Sequence, residues 1–140
     1  MAGYSGTPLV KKLGIQPHHR LAVLGAPPGF AIDDLPTGVT PRTALRGVSD
    51  VIVSFHTERA HLERRLPAIE RGLHVDGGLW VAWPKKASGV PTDITEDVVR
   101  EVVLPRGLVD VKVCAIDDTW SGLRVCVRKE LRPGRATAAG

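Results

Sequence analysis

The chain has 140 residues, enough for one domain around one core. Apolar residues make up 43% of it and aromatics only 4%, so the interior must rest on Val, Leu, Ile and Ala. No apolar run approaches the roughly 20 residues of a membrane span, and residues 1–7 lack the charged-then-apolar order of a signal peptide, which points to a cytoplasmic protein that does not enter a membrane. The net charge of +4 comes from the two ends, since residues 21–127 hold 12 Lys/Arg against 14 Asp/Glu; basic ends on a slightly acidic body read as solubilising and speak against nucleic-acid binding.

In chain order, residues 8–13 read as a short helix closed by Gly14, with Ser5 or Thr7 as its cap. Gln16-Pro17-His18-His19 is a turn into a first strand over 20–24. That strand runs into Gly25-Ala-Pro-Pro-Gly-Phe30, a turn of the kind beside which open α/β sheets bind ligands. Residues 30–35 suggest one helical turn, and Val39-Thr40 a short strand. Residues 50–55 form a strand that is apolar on both faces, as expected of a parallel strand covered by helices. Thr57 caps the next helix, in which Leu62, Leu66, Ile69 and Leu73 make a stripe. Pro67 should kink or split that helix.

Val75-Asp-Gly-Gly78 reads as a turn into a strand over 79–83, stopped by Pro84 and followed by a loop over 85–91. Asp93 with Glu96 makes a capping-box-like start to a helix over 94–104, with Val98, Val99, Val102 and Val103 on its buried face. Two strands, over 108–116 and 123–129, form a hairpin. The order predicts one Rossmann-like α/β domain over 1–131. It would be a three-layer sandwich with a mostly parallel sheet, helices on both faces, a C-terminal antiparallel hairpin and an antiparallel strand at one edge. Residues 132–140 read as a disordered tail.

Chemistry-bearing residues gather at the predicted carboxyl edge of the sheet. Gly25, Pro28, Gly29 and Phe30 form either a turn that admits a ligand close to the backbone or a tight connection that needs glycine's positive φ. Lys85 and Lys86 follow the 79–83 strand. Beside a glycine turn, two ammonium groups could hold a phosphate or carboxylate, with the Ser88 hydroxyl added; a solvated loop is the plainer reading. His56 suits a general base or an anion donor, without a nameable carboxylate partner. His18 and His19 read as turn, and His61 and His74 as helix surface.

Asp117 and Asp118 are turn residues, while Trp120 and Arg124 are types enriched at interface hot spots. Cys114 and Cys126 would face each other in a hairpin centred near residue 120, and read as buried, reduced thiols. There is no phosphate loop, nucleophile elbow or H-E-x-x-H, which leaves no metal ligand set, no covalent nucleophile and no nameable catalytic residue.

Two stretches, Leu21-Ala-Val-Leu-Gly25 and Leu73-His-Val-Asp-Gly-Gly-Leu-Trp-Val81, together with the element order, resemble a shortened class I S-adenosylmethionine-dependent methyltransferase. Over nearly the whole chain, Tyr4-Ser-Gly-Thr-Pro-Leu9, Leu24-Gly-Ala-Pro-Pro-Gly-Phe30, Leu79-Trp-Val-Ala-Trp-Pro-Lys-Lys-Ala-Ser-Gly89 and Asp117-Asp-Thr-Trp-Ser-Gly-Leu-Arg124 resemble an uncharacterised bacterial family. It is known as domain of unknown function 3052, found mainly in high-GC Gram-positive bacteria. That second resemblance implies no activity. The first implies S-adenosylmethionine as cofactor, with two departures. The G-x-G-x-G loop is replaced by Gly25-Ala-Pro-Pro-Gly29, whose prolines remove two N–H donors. The acid that would hold the ribose hydroxyls is absent from residues 35–47.

The resulting expectation is a non-catalytic protein that binds a small anionic ligand through residues 25–30, Lys85 and Lys86. A minimal methyltransferase is the first alternative, and a module that meets a protein partner through its C-terminal hairpin is the second.

Overall fold

The structure is a computed structural model that describes residues 6–134. Its five strands are β1 (Leu21–Leu24), β2 (Ser49–Phe55), β3 (Leu73–Pro84), β4 (Leu108–Ala115) and β5 (Trp120–Val127). They form one sheet in the order β1-β2-β3-β5-β4. β1, β2 and β3 are parallel, and β5 is antiparallel to both of its neighbours. The mixed α/β sheet with its terminal hairpin is as expected, but the antiparallel strand sits inside it. β4 takes the edge because the chain crosses over from β3 before the hairpin returns β5 into the gap.

Three α-helices complete the fold: α1 (Leu9–Lys12), α2 (Arg59–Arg71) and α3 (Glu96–Val103). Leu62, Leu66 and Ile69 of α2 and Val99, Val102 and Val103 of α3 pack on one face of the sheet, against Ile52, Leu79, Val81, Leu123 and Val125. The other face, with Leu21, Val23, Val53 and Trp80, is covered by Val10 of α1, by Leu13 just past its end, and by Ile32, Phe30 and Leu35. Both long helices therefore share a face. The second layer is a four-residue helix plus irregular chain, not a helical layer.

The expected helical turn at 30–35 and the strand at Val39-Thr40 do not form. In the connecting chain from 25 to 48 the ladder contact is a single parallel bridge, Ala22 with Arg42. Pro27, Pro28, Pro36 and Pro41 remove donors and fix φ through this stretch, which disfavours both helix and strand.

α2 runs through Pro67 as one helix. Its three fully buried stripe residues, each worth about 1.5–3 kcal/mol, outweigh the roughly 3 kcal/mol cost of an internal proline. β3 begins at Leu73, six residues earlier than its apolar run, and the expected 75–78 turn is a bulge within it. Ser49 pairs with Leu73 and Val51 with Gly78, so five steps on β3 oppose two on β2. A Cβ on Gly77 would lie 2.6 Å from the Asp50 carbonyl oxygen, so only glycine allows this approach.

The helix caps differ from expectation. Thr57 caps nothing with its side chain; its carbonyl accepts from the Thr92 hydroxyl at 2.6 Å. Asp93 does not start α3 but caps α2 across space, its Oδ1 accepting from the Arg59 N–H at 2.7 Å. Thr95 caps α3, its Oγ1 accepting from the Val98 N–H at 3.2 Å. Asp93→Ala is therefore expected to cost about 1 kcal/mol in urea unfolding and to loosen the start of α2, not of α3, in amide exchange. Protection lost at α3 alone would refute this assignment. Pro8 stands at the α1 N-cap without a side-chain bond, so Thr7 does not cap it, and Ser5 lies outside the described residues.

The hairpin turns at 117–119. Asp117 Oδ1 accepts from the N–H groups of Thr119 and Trp120, both at 2.8 Å, which is the expected turn role. Cys114 thus pairs with Gly122 and Cys126 with Val109, so the thiols do not face each other and both are free. Burial pushes the Cys114 thiol pKa up. Lys129–Gly134 adds a 3₁₀ turn, fixed by Arg132 Nε donating to the Val127 carbonyl at 3.0 Å. This turn takes in residues 132–134 of the expected tail, and residues 135–140 lie outside the described ones. No helix among the described residues is long and apolar enough to cross a membrane.

Candidate functional site

Gly25, His56 and Lys85 each follow a parallel strand, so all three stand at the carboxyl edge, as expected. They do not line one site. Beside the end of β1 lies a cavity of about 540 Å³, bounded by Val23, Gly25, Ala26, Phe30, Ala31, Ile32, Leu35, Pro41 and Thr43. No charged side chain lines it. Gly25 is required there twice over. Its φ is +67°, and a Cβ would stand 3.1 Å from the Phe55 carbonyl oxygen.

Behind Gly25 lies a smaller polar cavity of about 210 Å³. Its walls include Gly25, Thr43, Leu45, Ser54, His56, His61 and Arg65. Gly25 and Thr43 line both cavities, so the apolar and polar spaces adjoin. His56 is only 2% exposed. Its Nε2 meets the Ser54 hydroxyl at 2.7 Å, and its Nδ1 meets His61 Nδ1 at 2.9 Å.

A contact between two ring nitrogens needs one N–H and one lone pair, so His56 and His61 share a single proton across it. Burial, then the charges of His61 and Arg65, lower the His56 pKa from 6.5 to about 4. His56 is therefore neutral at pH 7. His61 is not a helix-surface residue, because the first turn of α2 folds back over the end of β2. Arg65 stands one helical turn further on, exposed, with no acidic partner among the described residues.

Lys85 and Lys86 line a different cavity of about 660 Å³ with Trp83, Pro91, Thr92, Thr95 and Glu96. No residue of 25–30 borders it. β2 separates β1 from β3, which puts their ends about 10 Å apart. No one cavity holds both the glycine turn and the lysine pair, but Val90 lines both the lysine cavity and the space beside Pro27, Pro28, Gly29 and Phe30, so those two spaces adjoin. The Ser88 hydroxyl donates to the Lys85 carbonyl at 2.6 Å and accepts from the Val90 N–H at 3.2 Å, so its own turn uses it.

Pro28, Gly29 and Phe30 border a third space, of about 400 Å³, with Asp117, Thr119 and Trp120. Phe55 packs edge-on against both Phe30 and Trp120, with centroids 4.9 and 5.0 Å apart. Trp120 is 9% exposed, so its ring is committed to the interior and does not stand out as an anchor. Arg124 lies four residues along β5, about 13 Å away, over Gly78, where a Cβ would sit 2.5 Å from its Nε. The two do not make one contact surface. His74 lies on β3, its Nδ1 accepting from the Asp76 N–H at 3.0 Å. No group of three or more metal-ligating side chains occurs among the described residues.

Sequence reading missed Ser54, His61, Arg65 and Thr43. Two signals were present. Ser54 and His56 are i and i+2 at the end of β2, beside the apolar Val51, Ile52, Val53 and Phe55, and His61 and Arg65 are i and i+4 on one helix face.

No protein-family model and no curated protein matches the chain. Solved structures do. An S-adenosylmethionine-dependent methyltransferase from Aquifex aeolicus aligns with a TM-score of 0.61 at 11% identity, over 84% of this chain and 86% of that one. The chain has a methyltransferase-like fold.

Magnesium protoporphyrin IX methyltransferase from Synechocystis PCC 6803 gives the same TM-score and identity, over 86% and 78% of the two chains. A TehB-like methyltransferase from Corynebacterium glutamicum gives a TM-score of 0.57 at 12% identity, over 86% and 85%. Identities this low establish the fold and leave the activity to the residues. Residues 35–47, where the resemblance would place a ribose-binding acid after a second strand, hold neither an acid nor a named strand.

Proposed function

We propose that this chain binds a small ligand with an apolar body and an acidic group at the carboxyl edge of its sheet, without transferring a methyl group. The observation behind this reading is the pair of adjoining cavities. The apolar one, about 540 Å³, is within the usual range of roughly 300–1,000 Å³ for small-molecule sites. The polar one presents the Arg65 guanidinium and His61, so these take the anion-binding role first expected of Lys85 and Lys86.

Three features argue against methyl transfer. Pro27 and Pro28 offer no N–H to a cofactor, residues 35–47 offer no carboxylate for a ribose, and His56 is enclosed between Ser54 and His61. We read the chain as similar to the domain of unknown function 3052 family through residues 24–30, 79–89 and 117–124, a resemblance that implies no activity.

Thermal unfolding tests it. A series of small aromatic and aliphatic carboxylates, benzoate and hexanoate first, should raise the melting temperature. Ligand at 100 times Kd adds about 2.7 kcal/mol. Arg65→Gln should weaken that binding at least tenfold, or about 1.4 kcal/mol, while Lys85→Ala with Lys86→Ala should not. Stabilisation by S-adenosylmethionine or its demethylated product, with none by the acids, would favour the minimal methyltransferase instead.

A further inference from the structure

A second basic cluster lies at the opposite, amino edge of the sheet. His18, His19, Arg20, Gly38, Thr40 and Arg42 surround a cavity of about 270 Å³ with no acidic side chain in its walls. We propose that it is a binding site for a phosphoryl dianion, either free phosphate or the monoester of a small molecule.

The donors are held by the fold. The Arg20 N–H donates to Asp50 Oδ2 at 2.7 Å, its Nε to the same oxygen at 3.2 Å and its Nη2 to Oδ1 at 3.3 Å. Asp50 therefore aims the guanidinium from behind and leaves Nη1 for a ligand. Arg42 is fixed by the parallel bridge to β1, donating its N–H to the Leu21 carbonyl at 2.9 Å and accepting from the Val23 N–H at 2.8 Å. Its side chain meets only the neutral Arg46 carbonyl, at 2.9 Å, so its charge has no acidic partner among the described residues.

His19 Nδ1 accepts from the Gln16 N–H at 3.0 Å, which places the proton of the neutral ring on Nε2, a donor. His18 adopts φ +63°, uncommon for a residue with a side chain. Its ring lies over Gly38, where a Cβ would fall 2.2 Å from Nδ1. A strained histidine seated on a glycine costs free energy for a position that contributes no apolar packing, as functional sites do. The Arg20 Nη1, the Arg42 guanidinium, two imidazoles and the Thr40 hydroxyl suit a tetrahedral anion, since charge-assisted N–H donors bond phosphate oxygens strongly. The cavity is below the usual size for a larger organic ligand.

The test is a titration of the 15N-labelled full chain with inorganic phosphate and with glycerol 3-phosphate, at constant ionic strength held with chloride. Saturable shifts confined to the amides of 18–20 and 37–42 are expected. Arg42→Gln and His19→Ala should each weaken binding at least tenfold with an unchanged melting temperature. Tighter binding of the monoester would identify a phosphorylated small molecule, and equal binding would identify free phosphate. Shifts absent from these amides, or wild-type affinity in both variants, would overturn the proposal. If Arg42→Gln does not fold, His19→Ala decides alone. The carboxylate site lies at the other edge, so failure there leaves this outcome untouched.

Discussion

Trp80→Ala is expected to cost about 3–5 kcal/mol, a large share of the 5–15 kcal/mol that stabilises a typical domain. Trp80 is fully buried on the central strand β3, and it is the largest side chain in that class. Its indole Nε1 donates to the Leu13 carbonyl at 3.1 Å, which fastens α1 to the sheet. A Cβ on the neighbouring Gly122 would lie 3.1 Å from the Trp80 ring, so the space around it is already filled to the backbone. Truncation leaves a cavity that cannot collapse easily and also frees α1. Trp80→Phe keeps most of the packing but leaves the Leu13 carbonyl unpaired, at about 1–3 kcal/mol. Urea unfolding gives both values. Amide exchange should show 9–13 losing protection in the alanine variant, and full protection there would contradict the fastening role.

The second large effect is a loss of stability in mild acid that traces to His56. Its folded-state pKa is lowered from 6.5 to about 4. Between those values the unfolded chain binds a proton there that the folded chain refuses, so stability falls as pH drops from about 6.5 toward 4. Above 6.5 both states are neutral at this residue and it adds no pH dependence. The full loss is up to about 3 kcal/mol, at 1.36 kcal/mol per pKa unit.

Denaturant unfolding at pH 7 and pH 5 measures it, with the His56 ring followed by NMR. His56→Gln should flatten the curve in this window even though the variant is less stable at pH 7. Equal wild-type stability at pH 7 and pH 5 would rule the effect out. Burial pushes the Asp50 pKa up but its bonds to Arg20 outweigh that, and Arg100 lowers Asp110, so both carboxylates sit below their ordinary values and below this window. An acidic ligand beside Arg65 and His61 would offset part of the positive charge that lowers His56. The same ring resonance therefore reports ligand binding.

The strands and long helices were readable because each carries a local pattern that its environment rewards. Residues 50–55 carry apolar side chains on both faces, Val51, Ile52, Val53 and Phe55, and they became part of the strand β2, paired on both sides. The stripe in α2 and the valine face of α3 were correctly assigned to the core. Reading failed where a partner far along the chain settles the matter. Asp93 looks like the cap of the helix that follows it, but its partner is Arg59, 34 residues back. The 75–78 segment looks like a turn because of its glycines. Gly77 is there so that β3 can pass the Asp50 carbonyl.

The candidate site shows the same division. Sequence by itself determined the α/β class, the carboxyl-edge position of Gly25 and His56, and the stiffening of the following turn by Pro27 and Pro28. These follow from hydrophobic period, strand ends and residue type, all of which are local. Only the tertiary structure decided that Lys85 and Lys86 line a different cavity from Gly25, and that His61 and Arg65 come to the end of β2 beside His56. It alone brought Arg42 beside Arg20 at the amino edge. Sheet order and crossovers set those distances, and side chains that are far apart in sequence meet only when the core closes beneath them.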